Sequence, residues 1–94
     1  LENLDPTAIL KALSEPRRLE LLRRVAEMED EEGVTCARVL QGMDISQSTF
    51  AHHVAELIDA GLIVATPRGR CKMLTVDRER TDAFLTEIKK ILGG

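Results

Sequence analysis

Residues 45–63 constrain this chain more than any other stretch, because they spell out one helix with both ends marked. Ser46 can accept hydrogen bonds from the free amides of a first turn, and Gly61 can take the left-handed conformation that stops a helix. Between them Phe50, Val54, Leu57 and Ile58 recur at spacings of three and four, making one apolar stripe expected to face a core. With about 100° between successive residues, Ser48, His52, Ala55, Glu56 and Asp59 fall on the opposite side. That outer side is polar and unevenly charged. Gln47, Ser48, Thr49 and His52, in its first half, can donate hydrogen bonds to phosphates and base edges, whereas Glu56 and Asp59 would be repelled by a polyanion. Such a helix should meet DNA with its N-terminus, as the second helix of a helix-turn-helix does in the major groove.

The run Ile45-Ser46-Gln47-Ser48-Thr49-Phe50-Ala51-His52-His53-Val54, followed by Asp59-Ala60-Gly61-Leu62-Ile63 and then Arg68-Gly69-Arg70, resembles the recognition helix and wing of the ArsR/SmtB family of winged-helix repressors. Upstream, the stretch from Ala12 to Leu22 is similar to the family's junction between its first and second helices. Together the matches span most of the chain in the family's order and spacing. The resemblance implies a mainly α fold with a small β-hairpin wing, a winged helix-turn-helix. It also implies a homodimeric repressor of transcription that binds double-stranded DNA at an inverted-repeat operator.

The charge balance is an apparent objection. The net charge is -3, and most non-specific affinity for DNA comes from neutralising phosphates. The distribution answers part of it: residues 1–44 hold ten acids against six bases, while residues 45–76 hold only Glu56 and Asp59 against Arg68, Arg70 and Lys72. An acidic body behind a small basic face should limit non-specific binding and leave more of the affinity to base contacts. Phe50 and Phe84 are the only aromatic residues. Single-strand binders stack bases on exposed rings, so duplex DNA is favoured.

At 94 residues, 44% of them hydrophobic, the chain suits one domain over residues 1–94 with a modest core that gains from a partner surface. It begins at Leu1 rather than a methionine, so a start residue or a longer tail is expected to precede it. Neither a signal peptide nor a membrane-length apolar run is present, which points to a cytoplasmic protein with no membrane partner.

Asp5 before Pro6 marks a helix start, and Ile9, Leu10 and Leu13 follow on one side. Ser14, Glu15 and Pro16 close this helix and open a second, expected to bury Leu19, Leu22, Val25 and Ala26, widened by Leu21 and Met28. Glu20, Arg23, Arg24 and Glu27 should stay in solvent. The acidic run from Glu29 to Glu32, ended by Gly33, reads as a loop. Thr35 should cap a short helix reaching Gly42 that buries Val39 and Leu40. Leu62 to Thr66 and Cys71 to Val76 read as a hairpin around the turn Pro67 to Arg70. Within it Leu74 and Val76 should face the core, as in the family pattern, and Cys71, Met73 and Thr75 should face away. A last helix from about Arg78 to Leu92 carries Phe84, Ile88, Ile91 and Leu92, with Leu85 alongside. So small a fold has little core left for them, so Ile9, Leu10, Leu13, Phe84, Ile88 and Ile91 are the expected dimer interface.

Ser46, Gln47, Ser48, Thr49, His52, Arg68, Arg70 and Lys72 are thus the candidate DNA-binding residues. His52 and His53 diverge by about 100° on the helix and cannot easily chelate one metal, which leaves His52 outward and His53 in a structural role beside the core. Cys36 and Cys71 lack the close spacing of a zinc-binding pair. Aligned on the family, the two usual cysteine positions of one metal site fall on Thr35 and Ala37. The family's other site draws carboxylates and histidines from the last helix, and its positions fall on Asp77, Glu79, Lys90 and Gly93, of which only Asp77 fits. Neither metal site is intact, and no cofactor is expected. What remains for signalling is thiol chemistry. Reactivity at a cysteine requires thiolate character and access, which makes Cys71, between Arg70 and Lys72, the first candidate sensor. Cys36 is the second, although a small buried hydrophobe is its plainer role. Nothing in the sequence pairs a nucleophile with a base, so an enzyme is not expected. The alternative function is a winged-helix module that binds protein and not DNA; its docking face should show large exposed apolar groups between Gln47 and His52.

Overall fold

The computed structural model describes residues 4–94; the first three residues of the expected domain lie outside that range. Helix α1 (Pro6–Leu13) begins where Asp5 accepts from the amides of Thr7 and Ala8 at 3.1 and 3.2 Å. Helix α2 (Pro16–Met28) opens on its own proline, with Glu15 accepting from the Arg17 amide. A two-residue strand β1 (Val34–Thr35) leads into α3 (Cys36–Gln41), capped by Thr35. Then follow α4 (Gln47–Asp59), strands β2 (Ile63–Arg68) and β3 (Cys71–Val76), and α5 (Arg78–Ile91).

The winged helix-turn-helix expected from the sequence is what forms, with one strand more than the sequence suggested. β1 pairs antiparallel with β3, Val34 opposite Leu74 and Thr35 opposite Met73, giving the order β1-β3-β2. Two residues carry no readable alternation, so β1 exists only because β3 offers it an edge. Gly33 makes the approach feasible: its φ is 105°, and a Cβ there would stand 2.6 Å from the Leu74 carbonyl oxygen. The hairpin turn is also tighter than expected. Pro67 and Arg68 extend β2 and pair with Lys72 and Cys71, leaving Gly69 and Arg70 as the turn. Pro67 is tolerated because β2 is an edge strand, where a missing amide breaks no ladder bond.

The core gathers Ile9, Leu21, Val25, Val39, Phe50 and Leu57 from the helices with Ile63 and Leu74 from the sheet. Three expectations about burial need correction. In α2 the buried centre is Leu21 and Val25, both fully covered, while Leu19 is 52% exposed; Val25 stays at the centre, and the stripe turns away from Leu19 and toward Leu21. On α4, Ile58 is 38% exposed and the buried His53 takes its place beside Phe50, Val54 and Leu57. Third, Ile9 and Phe84, expected at a dimer surface, are covered within the subunit because α1 and α5 lie against one another and against the core.

Several charged side chains have structural work that helix periodicity does not reveal. Arg18 donates from Nε to the Ala12 carbonyl at 2.7 Å, tying α2 to the end of α1. Arg24, expected in solvent, is half-buried and donates to the Val39 carbonyl of α3 at 3.1 Å. Each satisfies a carbonyl near the end of a helix, where intrahelical partners run out. Glu29, from the acidic run, accepts from the Val76 amide at 3.2 Å and pairs with Arg78 at 2.6 Å. The end of α2 is thereby joined to the junction of β3 with α5. By contrast Arg23 and Glu27 form an exposed pair at 3.3 Å, of the kind that contributes little.

Candidate DNA interface

The N-terminus of α4 is built by Ser46. Its Oγ accepts from the Thr49 amide at 3.1 Å and donates to Thr49 Oγ1 at 2.9 Å, and it lies 3.3 Å from Ser48 Oγ. Substituting a cap of this kind by alanine commonly costs about 1 kcal/mol. The cap also engages the hydroxyl of Thr49 and holds the first turn as one hydrogen-bonded unit. Ser46, Gln47, Ser48, Thr49, Ala51 and His52 are all exposed, and no acid stands among them. Gly61, at φ 78°, ends the segment, and its amide donates to the Ile58 carbonyl at 2.9 Å. A substituent at Gly61 would also run into the Arg80 side chain.

His52 projects from the exposed face, 64% exposed, with Nε2 3.9 Å from Glu56. A contact that long is not a hydrogen bond, so the ring is available to an outside partner. His53 behaves differently. It is 8% exposed, and its Nδ1 is buried without a hydrogen-bond partner among the described residues. What supports the structural role expected for it is the burial of the ring on α4, without a hydrogen bond at Nδ1.

At the wing, Arg68, Arg70 and Lys72 are all exposed. Arg70 occupies the turn beside Gly69. Arg68 differs from its neighbours in being hydrogen-bonded to Glu32 of the acidic loop. That hydrogen bond, and after it the charge of Glu32, raises the guanidinium pKa. For Arg68 to reach a phosphate it must exchange one acid for another. Sequence reading missed this pairing because the two residues are 36 positions apart and meet only through the β1–β3 ladder.

Cys36, at the start of α3, is half-buried, and Cys71, at the start of β3, is exposed. Burial pushes the Cys36 thiol up, Lys72 opposes that shift, and the nearby Cys71 adds to it. No cluster of three or more His, Cys, Asp or Glu side chains with metal-binding geometry occurs among the described residues. No described helix is long and apolar enough to cross a membrane.

The family profile described as a helix-turn-helix domain matches residues 13–65, from the end of α1 into β2. The arsenical resistance operon repressor of Staphylococcus xylosus is 34% identical over 77 residues, covering 81% of this chain and 69% of that protein. An ArsR-like transcriptional regulator from a Rhodococcus species superposes with a TM-score of 0.81 at 17% identity, over 94% of this chain and 79% of that one. A predicted DNA-binding transcriptional regulator from E. coli superposes with a TM-score of 0.67 at 25% identity, over 90% of this chain and 86% of that one.

Proposed function

The chain belongs to the ArsR family of helix-turn-helix transcriptional regulators, DNA-binding proteins and not enzymes, and from that premise we propose that it is a homodimeric repressor acting at an inverted-repeat operator. One observation carries the reading: the first two turns of α4 expose a polar, acid-free surface from a capped N-terminus. A face meant for a protein partner would place large apolar groups there. In this reading Gln47, Ser48, Thr49 and His52 reach base edges in the major groove, while Ser46 holds the helix start and can itself meet a phosphate. Arg70, Lys72 and, once freed from Glu32, Arg68 contact flanking phosphates.

A dimer is supported by what α1 and α5 leave uncovered. Leu10 on α1, with Leu85 and Ile91 of α5 and Leu92 at its end, is exposed by between 51% and 79%. Large apolar side chains left exposed on two helices that pack together suit an association surface. Ile88 and Leu13 lie half-buried at its inner edge. Two-fold symmetry then calls for two half-sites about one helical turn apart, or a multiple of that spacing.

Selection of bound duplexes from a random pool tests the reading: enriched sequences should show dyad symmetry, and a pool without it overturns the inverted-repeat geometry. Two substitutions separate the contacts. Gln47→Ala should change which bases are preferred, at about 1–3 kcal/mol for a bidentate contact, and an unchanged preference would remove Gln47 from base readout. Arg70→Ala should weaken all sequences alike and flatten the dependence of log K on log salt by about one phosphate contact. If Arg70→Ala alters base preference and leaves the salt slope intact, its role has been misassigned.

A further inference from the structure

Three elements converge on one groove of about 720 Å³. Its apolar wall is formed by Leu40 of α3 with Phe50, Ala51, Val54, Ala55 and Ile58 of α4. Ala51 and Ala55 stand one helical turn apart on the same face, and their small side chains leave a shallow flat floor. Ile58, a large apolar residue of α4 that the core leaves partly uncovered, continues that floor. At the wing end the groove is bounded by Arg70, Cys71 and Lys72, and on the α3 side by Cys36. Both cysteines of the protein therefore line one apolar recess, with Arg70 and Lys72 at its wing end.

We propose that this groove is an effector site for small, flat, apolar α,β-unsaturated carbonyl compounds, which are captured covalently by Cys71. The apolar wall fits a hydrocarbon or aryl body. Arg70, in the turn beside Cys71, supplies the positive partner for the carbonyl oxygen and for the negative charge that develops on it during addition. Cys71 is the exposed thiol of the two and serves as the nucleophile. Its Sγ bonds to the β-carbon of the enone, the carbon–carbon π bond breaks, and the thiol proton ends on the α-carbon. No oxidant or reductant takes part. Half-buried Cys36 forms wall and is not the attacking group.

The groove lies between the recognition helix and the wing, and Gln47, Arg70 and Lys72 belong to its lining. An adduct there occupies the space between two sets of proposed DNA contacts, so operator binding should weaken. That consequence rests on the DNA-binding reading above, whereas the capture itself does not.

The test compares benzylideneacetone, a flat aryl enone, with acrylamide, a polar acceptor that adds to thiols in the same way. Labelling rates at Cys71 are read by mass spectrometry, with glutathione as the reference thiol. The ratio of the two rates should be about ten-fold higher at Cys71 than at glutathione, equivalent to about 1.4 kcal/mol of selective binding. Ala55→Gln, at an exposed position, should abolish that preference by filling the floor. Equal ratios at Cys71 and glutathione, or a preference that survives Ala55→Gln, overturn the groove. Fluorescence anisotropy supplies the second arm: the Cys71 adduct should bind operator about ten-fold more weakly, and Cys71→Ser protein should be insensitive. Selective labelling without loss of affinity refutes the effector role alone. Untreated protein that binds no duplex refutes the DNA-binding reading and leaves the labelling result to decide the groove.

Discussion

Replacing Ile91 by Asp should leave each subunit folded, turn the proposed dimer into a monomer, and weaken operator binding by roughly 10²–10⁴-fold, the advantage that linking two binding units confers. Ile91 is 65% exposed, so the subunit loses little from the change. A partner surface would have to bury an unpaired carboxylate, which is far costlier than burying an isoleucine. Ile88 is a less clean target because it already lies against the subunit core, and a charge there would disturb folding as well as association. Sedimentation velocity at micromolar concentration checks the first step, and anisotropy on operators with one and two half-sites checks the second. An Ile91→Asp protein that sediments as the wild type does would remove this face of α5 from the dimer.

Leu57→Ala should have the largest effect on stability, about 2–5 kcal/mol. Leu57 has no exposed surface and sits in the central cluster beneath α4. Its carbonyl also accepts from the Leu62 amide at 3.0 Å, where the helix turns into β2. The cavity left by truncation would be walled by residues from several elements, which cannot all move inward together. Urea unfolding at one fixed protein concentration measures the loss, since a dimer's apparent stability depends on concentration. A change below about 1 kcal/mol would mean that the site collapses freely and that the α4–sheet contact is looser than described.

Local chemistry made much of this protein legible from its residues. Asp5, Thr35, Ser46 and Gly61 mark helix ends through interactions within a few positions of themselves, so no distant part of the fold is needed to read them. The family resemblance puts Leu74 and Val76 on the core side of β3, where both are buried, and alternation then turns Cys71 to the other face, because a strand's side chains repeat every two residues. The polar start of α4 is visible for the same reason: a helical face is a property of spacing.

Tertiary structure decided what depends on partners far along the chain. Strand β1 exists because β3 lies beside it, and Glu32 meets Arg68 only because that ladder brings them together. Arg24 reads as a solvent residue until α3 places the Val39 carbonyl within its reach. Leu19 and Ile58 are apolar by sequence yet exposed, since a stripe wider than the core leaves its edges outside and only the neighbouring helices determine which edge. Cys36 and Cys71 show the same division most plainly. Each is an isolated thiol in sequence, 35 positions from the other, and the fold sets both on one apolar groove because β1, continuing into α3, runs antiparallel to the strand that Cys71 begins.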